Sequence, residues 1–459
     1  DSASNYDEDR YENPSLRWEL QDISDGPVDK SNVDPMNIIE SRIIDSSGNR
    51  KSARTAMFIT MHAKVASKVA SMIKIPNSVA QARETPEWKF WLQAMREELQ
   101  GLVELDVFEE VSSYQGKPIA SRWVFALKEN STGKVERFKA RLVAKGFTQV
   151  HGQNYFETHA PVAKMESLKL LYSIAAINDL EIYQADVKQA FCRPTLKETV
   201  VMKPPWLPDG GTKMWKLKKA LYGLKQSARE WNKEADEKLR ILGFKPCLSD
   251  PCIYVRLNPL GKPFYIALYV DDLFYANDSV TEIKKVHDQL ETYWSDFKWM
   301  GEVKQFLGMT VTRDRKTRTI HLSQERILSD ALETMNMIDC NPAKHPYDAS
   351  IILHKAGTDD ILLSTDQKDL YHTVVGKLSY VATNTRPDMS VIVSQLGSYV
   401  SNPTIQHIGA LKKVLRYCKG TITHGIVVGG ANSTIPVLVG YSDSDWAGDV
   451  DTRRSRTGY

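Results

Sequence analysis

The chain has 459 residues, of which 42% are hydrophobic and 25% are charged, and its formal net charge is +3. These values are ordinary for a folded globular protein, and the length predicts two to four domains rather than one. No apolar run approaches the roughly 20 residues that a membrane-spanning helix needs, which excludes a helical membrane protein.

The five cysteines, at positions 192, 247, 252, 340 and 418, show no zinc-ligand spacing. No signal peptide opens the chain and the first residue is not Met, which predicts a segment excised from a longer protein. An odd number of cysteines without a signal peptide predicts reduced, intracellular thiols. Most of them are expected to be buried as small apolar side chains.

Charge is distributed unevenly along the chain. Residues 1–50 contain 12 Asp or Glu and 5 Lys or Arg, a net charge of −7, so the other 409 residues carry +10. An acidic leader before a basic body suits a polyanionic partner such as nucleic acid. Residues 1–83 are rich in Asp, Ser, Asn and Pro without sustained periodicity, which predicts an acidic, largely disordered linker.

Predicted secondary structure begins with a helix. Thr85-Pro86 resembles an N-cap followed by proline in the first turn, and apolar residues then recur every three or four positions from Trp88 to Leu102. Residues 123–128 and 138–143 flank a Ser-Thr-Gly turn, which predicts a strand pair with a basic second strand.

Strands and helices then alternate. Residues 168–175 predict a helix and residues 182–186 a strand, and a later helix is predicted to end just before Gly243. A capping box at Ser279 predicts another helix, whose apolar repeat runs to Phe297. This mixture of strand pairs and packed helices predicts an α+β fold.

Two adjacent carboxylates, Asp271 and Asp272, interrupt a hydrophobic strand pair predicted over residues 264–276. Adjacent acids in an apolar environment repel each other and lose hydration, a cost that divalent cations would remove. Carboxylates are hard oxygen ligands that suit Mg²⁺. The alternative for this dipeptide is a solvated turn, and the apolar flanks on both sides argue against it.

A third carboxylate, Asp186, ends another predicted apolar strand 85 residues before Asp271. Three carboxylates can hold two Mg²⁺ ions roughly 3.5–4 Å apart, the arrangement used for in-line phosphoryl transfer. One ion would lower the pKa of a primer 3′-hydroxyl, and the other would stabilise the leaving pyrophosphate. These acids are therefore the predicted catalytic residues.

Further segments make the chain recognisable. From about residue 84 to its end it resembles the copia-type reverse transcriptases of long-terminal-repeat retrotransposons. All of the matching segments occur in order, which argues against an unrelated protein. They are WVF at 123–125, FKARLVAKGFTQ at 138–149, DVKQAF at 186–191, LYGLKQS at 221–227, YVDD at 269–272, FLG at 306–308, VGKL at 375–378, TRPD at 385–388 and YSDSDWAGD at 441–449.

The resemblance implies an α+β right-hand polymerase with fingers, palm and thumb, followed by a connection and a truncated ribonuclease H-like start. Fingers and palm would occupy residues 84–319, thumb and connection 320–434, and the ribonuclease H start 435–459. Residues 436–443 would form the first strand of that last segment. Asp443 would be the first ribonuclease H metal ligand, and the other acids of that site lie further downstream in the family.

The resemblance also implies a nucleotide site. Asp186, Asp271 and Asp272 match the palm metal ligands, and Lys139 and Arg141 match the ligands of the incoming triphosphate, where cations stabilise phosphate charge. A solvated basic face is the alternative for Lys139 and, less readily, for Arg141 in its apolar strand. The remaining implied nucleotide-binding residues are Val187, Phe191 (under the sugar), Tyr222 and Gly223. Core packing is the alternative for Tyr222.

Primer and template binding is implied for two regions. The first comprises Tyr269, Met300 and Gly301, of which Met300 has core packing as its alternative. The second is a late helix with one apolar and one basic face, as expected for a helix that follows a phosphate backbone; a solvated face is the alternative. Its implied ligands are Lys412, Lys413 and Arg416.

The implied cofactor is a pair of Mg²⁺ ions, with Mn²⁺ as an alternative. The implied partners are an RNA template, a DNA primer–template, an RNA–DNA hybrid and deoxynucleoside triphosphates, together with integrase or a second reverse transcriptase chain, and no membrane. The implied location is the cytoplasm, within virus-like particles, with the nucleus as the second candidate.

The predicted function is RNA- and DNA-templated DNA polymerisation. Two rivals remain: a decayed or domesticated copy that binds nucleic acid without polymerising, and the supporting subunit of a reverse transcriptase dimer. The three intact carboxylates at 186, 271 and 272 favour the polymerase.

Overall fold

The structure is a computed structural model that describes residues 42–44, 50–52, 73–129, 134–211, 213–348, 350–430, 440–444, 446–455 and 457–458. The chain divides into two compact units. Unit 1 consists of Asp1–Thr158 and Phe191–Glu230, and unit 2 consists of His159–Ala190 and Trp231–Tyr459. The chain therefore leaves unit 1 for one short segment of unit 2, returns, and then completes unit 2.

The strands are short and pair antiparallel. In chain order they are β1 (Arg42–Ile44), β2 (Arg50–Ser52), β3 (Phe108–Val111), β4 (Ser121–Glu129), β5 (Val135–Ala144), β6 (Glu181–Val187), β7 (Thr195–Met202), β8 (Met214–Lys219), β9 (Lys245–Pro246), β10 (Ile253–Leu257), β11 (Pro263–Tyr269), β12 (Asp272–Asn277), β13 (Phe297–Glu302), β14 (Gln305–Phe306), β15 (Met309–Asp314), β16 (Thr319–Ser323), β17 (Gly425–Gly429), β18 (Asp443–Ser444) and β19 (Thr457–Gly458).

The α-helices alternate with these strands and then dominate the later part of the chain. None of those in the described part is long and apolar enough to cross a bilayer. They are α1 (Val79–Glu84), α2 (Trp88–Glu104), α3 (Met165–Ile177), α4 (Ser227–Ile241), α5 (Val280–Glu291), α6 (Glu325–Thr334), α7 (Thr365–Asn384), α8 (Ser390–Gly397) and α9 (Ile405–Gly420). Strand pairs mixed with packed helices confirm the α+β class.

Unit 1 contains the predicted basic strand pair. Strands β4 and β5 form an antiparallel hairpin, and β3, β8 and β7 form a separate sheet in that order. Helix α2 packs on β5 and places Trp91 against Phe125 and Phe138, with ring centroids 5.3 and 4.6 Å apart. The predicted pair is thus confirmed, and its predicted turn at 131–133 lies outside the described residues.

Order begins earlier than the predicted Thr85-Pro86 boundary, so the predicted linker over 1–83 is too long. Ile73 is buried in the core of unit 1, and the Ser78 side chain accepts a hydrogen bond at the start of α1. Thr85 ends α1 and does not cap α2. Helix α1 buries only Ala82, which is too little apolar surface to produce a repeat. Most of the remaining segment lies outside the described residues.

Among the described residues of unit 2, six strands form one sheet in the order β13-β6-β12-β11-β10-β9. Helices α3 and α5 pack on this sheet, and Tyr172 of α3 meets Phe274 of β12 edge to face at 5.1 Å. Gly243 follows α4 with φ +83°, as the predicted helix end requires. The predicted repeat of α5 extends too far: the helix ends at Glu291, and Phe297 begins β13 directly after the left-handed Asp296 (φ 58°).

A second sheet of unit 2 has the order β14-β15-β16-β17. Helices α6 to α9 pack around a separate apolar core, which includes the fully buried Leu378, Leu411 and Leu415. The predicted boundary between residues 319 and 320 falls inside β16, because the β15–β16 hairpin continues through it. The segment that was predicted to form thumb and connection therefore shares a sheet with the end of the segment that was predicted to form the palm.

The cysteines follow the expectation from their spacing. All five are free thiols, and Cys192, Cys252 and Cys418 are buried. Burial raises the pKa of the Cys252 and Cys418 thiols to about 12. These side chains therefore stay protonated at neutral pH and act as small apolar groups.

The TRPD segment at 385–388 forms a buried ionic cluster in unit 2. The Arg386 side chain is 1% exposed and donates to both carboxylate oxygens of Asp388 at 2.8–3.2 Å. It also donates to the carbonyl and hydroxyl oxygens of Thr421, at 2.9 and 2.7 Å. The hydroxyl of Tyr417 donates to Asp388 at 2.8 Å. This segment therefore ties α7 and α8 to the end of α9.

We expect Arg386→Leu to lower the free energy of unfolding by about 3 kcal/mol, because it removes the buried guanidinium that donates to Asp388 and Thr421. The value is at the low end for a broken buried pair, since Asp388 stays 38% exposed. Urea denaturation followed by circular dichroism measures it. The control, Lys412→Leu on the exposed face of α9, should change stability by no more than about 0.5 kcal/mol. Equal losses in both variants would contradict the structural role.

Candidate active site

Two of the three predicted carboxylates are direct neighbours in the sheet of unit 2. Asp272 begins β12 and lies opposite Asp186 of β6 in the antiparallel register. Side chains in such a pair have Cβ atoms roughly 4.5–5.5 Å apart. Asp271 occupies the turn immediately before β12, so the fold brings all three carboxylates to one end of the β6–β12 pair.

The turn between β11 and β12 is held at its backbone. Tyr269 lies opposite Asp272 and closes the hairpin, and Val270 has φ 57°, which is unusual for a β-branched residue. The Val270 carbonyl accepts a hydrogen bond from the indole Nε1–H of Trp231 at 2.5 Å. The Asp271 carbonyl accepts one from the backbone N–H of Val187 at 2.9 Å.

Sequence periodicity assigns Trp231 only to the apolar face of α4, so its contact with the turn went unpredicted. A buried tryptophan usually needs an acceptor for its N–H, which is the signal that the sequence offers. The identity of that acceptor depends on tertiary structure. Val187, predicted as a nucleotide-binding residue, is buried, and its backbone N–H contacts the turn.

Burial and charge repulsion both act on Asp272. Burial, then Asp271, then Asp186 raise the pKa of its carboxyl from 3.8 to about 7. The same environment raises the pKa of the neighbouring Tyr269 hydroxyl, through burial and then Asp272. Excess negative charge on hard oxygen ligands fits a divalent cation, which would remove the repulsion. The donor set at 186, 271 and 272 therefore suits Mg²⁺.

Strand β13 lies on the other side of β6 from β12. Its Lys298 lies opposite Asp186, so a cation that the sequence did not single out flanks the carboxylates. The register shifts at Met300, which is 42% exposed, and Gly301 follows with φ +84°. Core packing, the alternative for Met300, is therefore wrong, and its primer-binding role stays a prediction.

A second cluster of ligand-type side chains lies on α5. His287, Asp288 and Glu291 place ligand atoms within 4.8 Å of one another. These groups are engaged in the fold: Asp288 pairs with Lys284 at 2.8 Å, and the His287 ring stacks on Phe297 with centroids 4.3 Å apart. Burial lowers the pKa of His287 to about 4, so the ring is a neutral packing element.

Unit 1 contains four of the predicted nucleotide-binding residues on or beside one strand, β5. Lys139 and Arg141 alternate on β5 with buried neighbours and so share one face of the hairpin. The Arg141 guanidinium lies 4.9 Å from the centre of the Tyr222 ring. Phe191 meets the same ring edge to face at 5.5 Å. Tyr222 is only half-buried, so its ring links the cation to the second aromatic side chain and is not a core residue alone.

Gly223 has a backbone reason for its identity. Its φ is +84°, and a Cβ atom there would collide with the carbonyl oxygen of Ala144. The backbone N–H of Ala144 donates to the Tyr222 carbonyl at 2.8 Å. The absence of a side chain thus lets the 221–224 turn lie directly against the end of β5.

The basic helix at the end of unit 2 is α9. Leu411 and Leu415 are fully buried and Ile408 is partly buried, which confirms the predicted apolar face. Lys412 is exposed. Two of the predicted basic ligands contact neighbouring loops: Lys413 pairs with Asp348 at 3.2 Å, and Arg416 donates to the carbonyl of Asn341 at 2.7 Å.

Asp443 is exposed and starts the two-residue strand β18, which pairs with β19. Most of the strand predicted over 436–443 lies outside the described residues. The ribonuclease H role of Asp443 therefore stays a prediction.

Residues 106–349, more than half of the chain, match the family model described as reverse transcriptase (RNA-dependent DNA polymerase). The chain is 36% identical over 390 residues to the retrovirus-related Pol polyprotein from transposon TNT 1-94 of Nicotiana tabacum. It is 38% identical over 345 residues to that from transposon RE1 of Arabidopsis thaliana. The chain belongs to the copia-type reverse transcriptases. It thus contains an RNA-dependent DNA polymerase domain, in a family that generally uses divalent metal ions.

The matches cover 84% and 74% of this reverse transcriptase but only 29% and 23% of the two polyproteins. Two solved structures of the foamy viral protease-reverse transcriptase also resemble it, with 14% identity over 72% of this chain. One, a dRH form in complex with double-stranded DNA, gives a TM-score of 0.37 and is covered to 48%. The other, in complex with an RNA/DNA hybrid, gives 0.39 and is covered to 37%.

The raised pKa of Asp272 predicts a pH-dependent stability. The folded state keeps this proton up to about pH 7, whereas the unfolded chain releases it near pH 3.8, so the free energy of unfolding falls as pH rises between these values. Without metal, Asp272→Asn should therefore raise the melting temperature at pH 7.5, and the gain should vanish near pH 4. Added Mg²⁺ should raise the melting temperature of the parent more than that of the variant.

Asp339→Asn provides the control, because Asp339 is an exposed carboxylate of the same unit. Its melting temperature should follow that of the parent at both pH values. Parallel melting curves for Asp272→Asn and Asp339→Asn across this pH range would disprove the crowding of charge at Asp272.

Proposed function

We propose that this chain synthesises DNA on an RNA or DNA template, extending a primer with deoxynucleoside triphosphates. The observation that carries the proposal is the pairing of Asp186 with Asp272 across β6 and β12, with Asp271 in the adjoining turn. Carboxylates gathered at the end of a strand pair and crowded enough to raise a pKa are suited to holding cations for phosphoryl transfer. Membership of the reverse transcriptase family supports the same reaction.

In the proposed reaction the primer 3′-oxygen attacks the α-phosphorus of the nucleotide, a P–O bond forms, and pyrophosphate leaves. Asp186, Asp271 and Asp272 would hold two Mg²⁺ ions, with Mn²⁺ as a substitute. When bound, such ions activate the attacking hydroxyl and neutralise charge on the leaving group. The hydrogen-bonded β11–β12 turn and the β6–β12 register would hold the carboxylates in position before the substrate binds.

The proposed role of unit 1 is nucleotide binding. Lys139 and Arg141 would neutralise the triphosphate, because both cations lie on one face of β5. The Tyr222 ring under the guanidinium of Arg141 restricts that side chain. Phe191, held edge to face by Tyr222, would lie against the sugar, and Gly223 keeps the adjacent turn close to β5.

Primer and template contacts are proposed for Tyr269, for Met300 and Gly301 at the β13 bulge, and for the basic face of α9. Residues 84–319 would then supply fingers and palm, and 320–434 thumb and connection. A cytoplasmic virus-like particle is the proposed setting, where an RNA template and an RNA–DNA hybrid would be the natural partners. A helix with exposed cations attracts a phosphate backbone without regard to sequence.

Asp186→Asn and Asp271→Asn should each lower the primer-extension rate by at least about 10³-fold, because a lost metal ligand leaves the phosphoryl-transfer charge unneutralised. Binding to primer–template should stay within about threefold of the parent, since these groups do not contact the nucleic-acid backbone in the proposed role. Extension of a DNA primer on homopolymer RNA and fluorescence anisotropy give the two quantities. Asp339→Asn serves as the matched control and should extend at the parent rate.

Near-parent extension by either variant would refute the assignment of the carboxylates. An inactive parent that binds primer–template tightly would instead indicate a nucleic-acid-binding fragment or a supporting subunit.

Phe191→Val should admit ribonucleotides while keeping appreciable deoxynucleotide incorporation. A packed ring excludes the added 2′-hydroxyl by volume and offers it no hydrogen-bond partner. An apolar pocket alone rejects an added hydroxyl by about 10²-fold, so a larger preference in the parent would be steric. The measurement is the ratio of kcat/KM for a deoxynucleotide and its ribonucleotide counterpart. An unchanged ratio in an active variant would return Phe191 to a packing role.

A further inference from the structure

The carbonyl oxygens of the turn that carries Asp271 are both taken up by donors within unit 2. The Trp231 indole N–H donates to the Val270 carbonyl at 2.5 Å, and the Val187 backbone N–H donates to the Asp271 carbonyl at 2.9 Å. Val187 belongs to the strand that carries Asp186, so its bond is part of the sheet. Trp231 comes from helix α4, and its side chain reaches the turn from outside the sheet.

This turn needs an external restraint for two reasons. Val270 has φ 57°, in the left-handed region that is unfavourable for a β-branched residue. The fold also gathers like charges at the end of this turn, because Asp271 and Asp272 follow Val270 directly and Asp186 lies opposite Asp272. A glycine at position 270 would remove the first cost, and the chain instead has valine.

Trp231 is itself held rigidly. Its side chain is buried, 1% exposed, and its ring packs on Trp294 with centroids 5.1 Å apart. The Trp294 indole N–H donates to the Glu234 carboxylate at 3.1 Å, and its ring meets Phe297 at 5.6 Å. Because Phe297 pairs with Val187 in the sheet, this aromatic cluster braces the turn against β6 and β13.

We infer that Trp231 is a positioning residue for the polymerase reaction, which it serves by fixing the turn of Asp271 and Asp272 through its indole N–H. This inference rests on the proposed function. In the described structure the Trp231 side chain donates its hydrogen bond to a backbone carbonyl and not to a carboxylate. It therefore acts on the backbone that carries the carboxylates. Loss of the N–H should let the turn change its conformation and should make the positions of the Asp271 and Asp272 carboxylates more variable.

The test is Trp231→Phe, which keeps an aromatic ring and removes the donor. The matched control is Trp294→Phe, which makes the same chemical change one layer further from the turn and removes the donor to Glu234 instead of the donor to Val270. Misplacing catalytic groups by about 1 Å costs on the order of 10²-fold in rate. We therefore expect Trp231→Phe to lower kcat by about 10- to 100-fold with KM for nucleotide within about twofold, and Trp294→Phe to lower kcat by less than about threefold.

A second measurement is independent of turnover. Mn²⁺ alone, titrated by electron paramagnetic resonance, should bind Trp231→Phe about 10-fold more weakly than the parent, as expected when support of metal ligands is lost. Trp294→Phe should bind Mn²⁺ like the parent. If Trp231→Phe does not fold, Trp231→Met replaces it, because its long apolar side chain fills part of the site and has no hydrogen-bond donor.

The outcomes separate this inference from the proposed function. A parent that fails to extend primers defeats the proposed function, and the Mn²⁺ titration still tests Trp231. An active parent with equal kcat and equal Mn²⁺ affinity in the Trp231→Phe and Trp294→Phe variants overturns the positioning role. Equal losses in both variants would likewise reduce Trp231 to a packing residue.

Discussion

Negative charge crowded at Asp186, Asp271 and Asp272 is the constraint that most of unit 2 accommodates. Three carboxylates at the end of a buried strand pair raise the free energy of the folded state through repulsion and lost hydration. The sheet nevertheless holds two of them side by side in register. A fold tolerates such a cost only when the surrounding contacts stabilise the unfavourable local conformation. The packing around the β11–β12 turn provides such contacts.

Apolar surface supplies much of that support. Helix α3 covers one part of the sheet with Tyr172, and the aromatic cluster of Trp231, Trp294 and Phe297 reaches the turn through the Trp231 indole. Large aromatic side chains bury much surface at little conformational cost. Two hydrogen bonds to the Val270 and Asp271 carbonyls then hold the turn in one geometry. Loss of a whole ring from the cluster should therefore lower stability together with the proposed catalysis, whereas mutation at Asp272 should separate the two effects.

Local sequence patterns predicted those elements that are determined by residues close together in the sequence. Alternation and turn chemistry indicated the β4–β5 and β11–β12 hairpins, and the apolar flanks of Asp271-Asp272 indicated a site rather than a solvated turn. Long-range features escaped, because periodicity carries no partner information: Trp231 reads as a core residue, and Lys298 as an ordinary surface lysine. The interleaving of the two units escaped for the same reason, since residues 159–190 look continuous with their flanks.

Errors at element ends have similarly physical causes. The apolar repeat of α5 runs on to Phe297, but Asp296 adopts a left-handed conformation that periodicity does not reveal. The short helix α1 depends on the Ser78 cap and leaves too little apolar surface to be recognised. The ionic cluster at Arg386 was identifiable only as a family motif, because its partner Thr421 lies 35 residues away along the chain.

The pairing of β16 with β17 has a consequence for how the chain is made. These adjacent strands are separated by roughly a hundred residues, which contain the helices α6 to α9. Until Gly425–Gly429 leaves the ribosome, the edge of β16 presents unpaired backbone groups, an established hazard for association with other chains. The helical segment with its own core is able to fold during this interval, because its contacts are comparatively local. Because β17 is synthesised about a hundred residues after β16, this edge of β16 stays open throughout the synthesis of the helical segment.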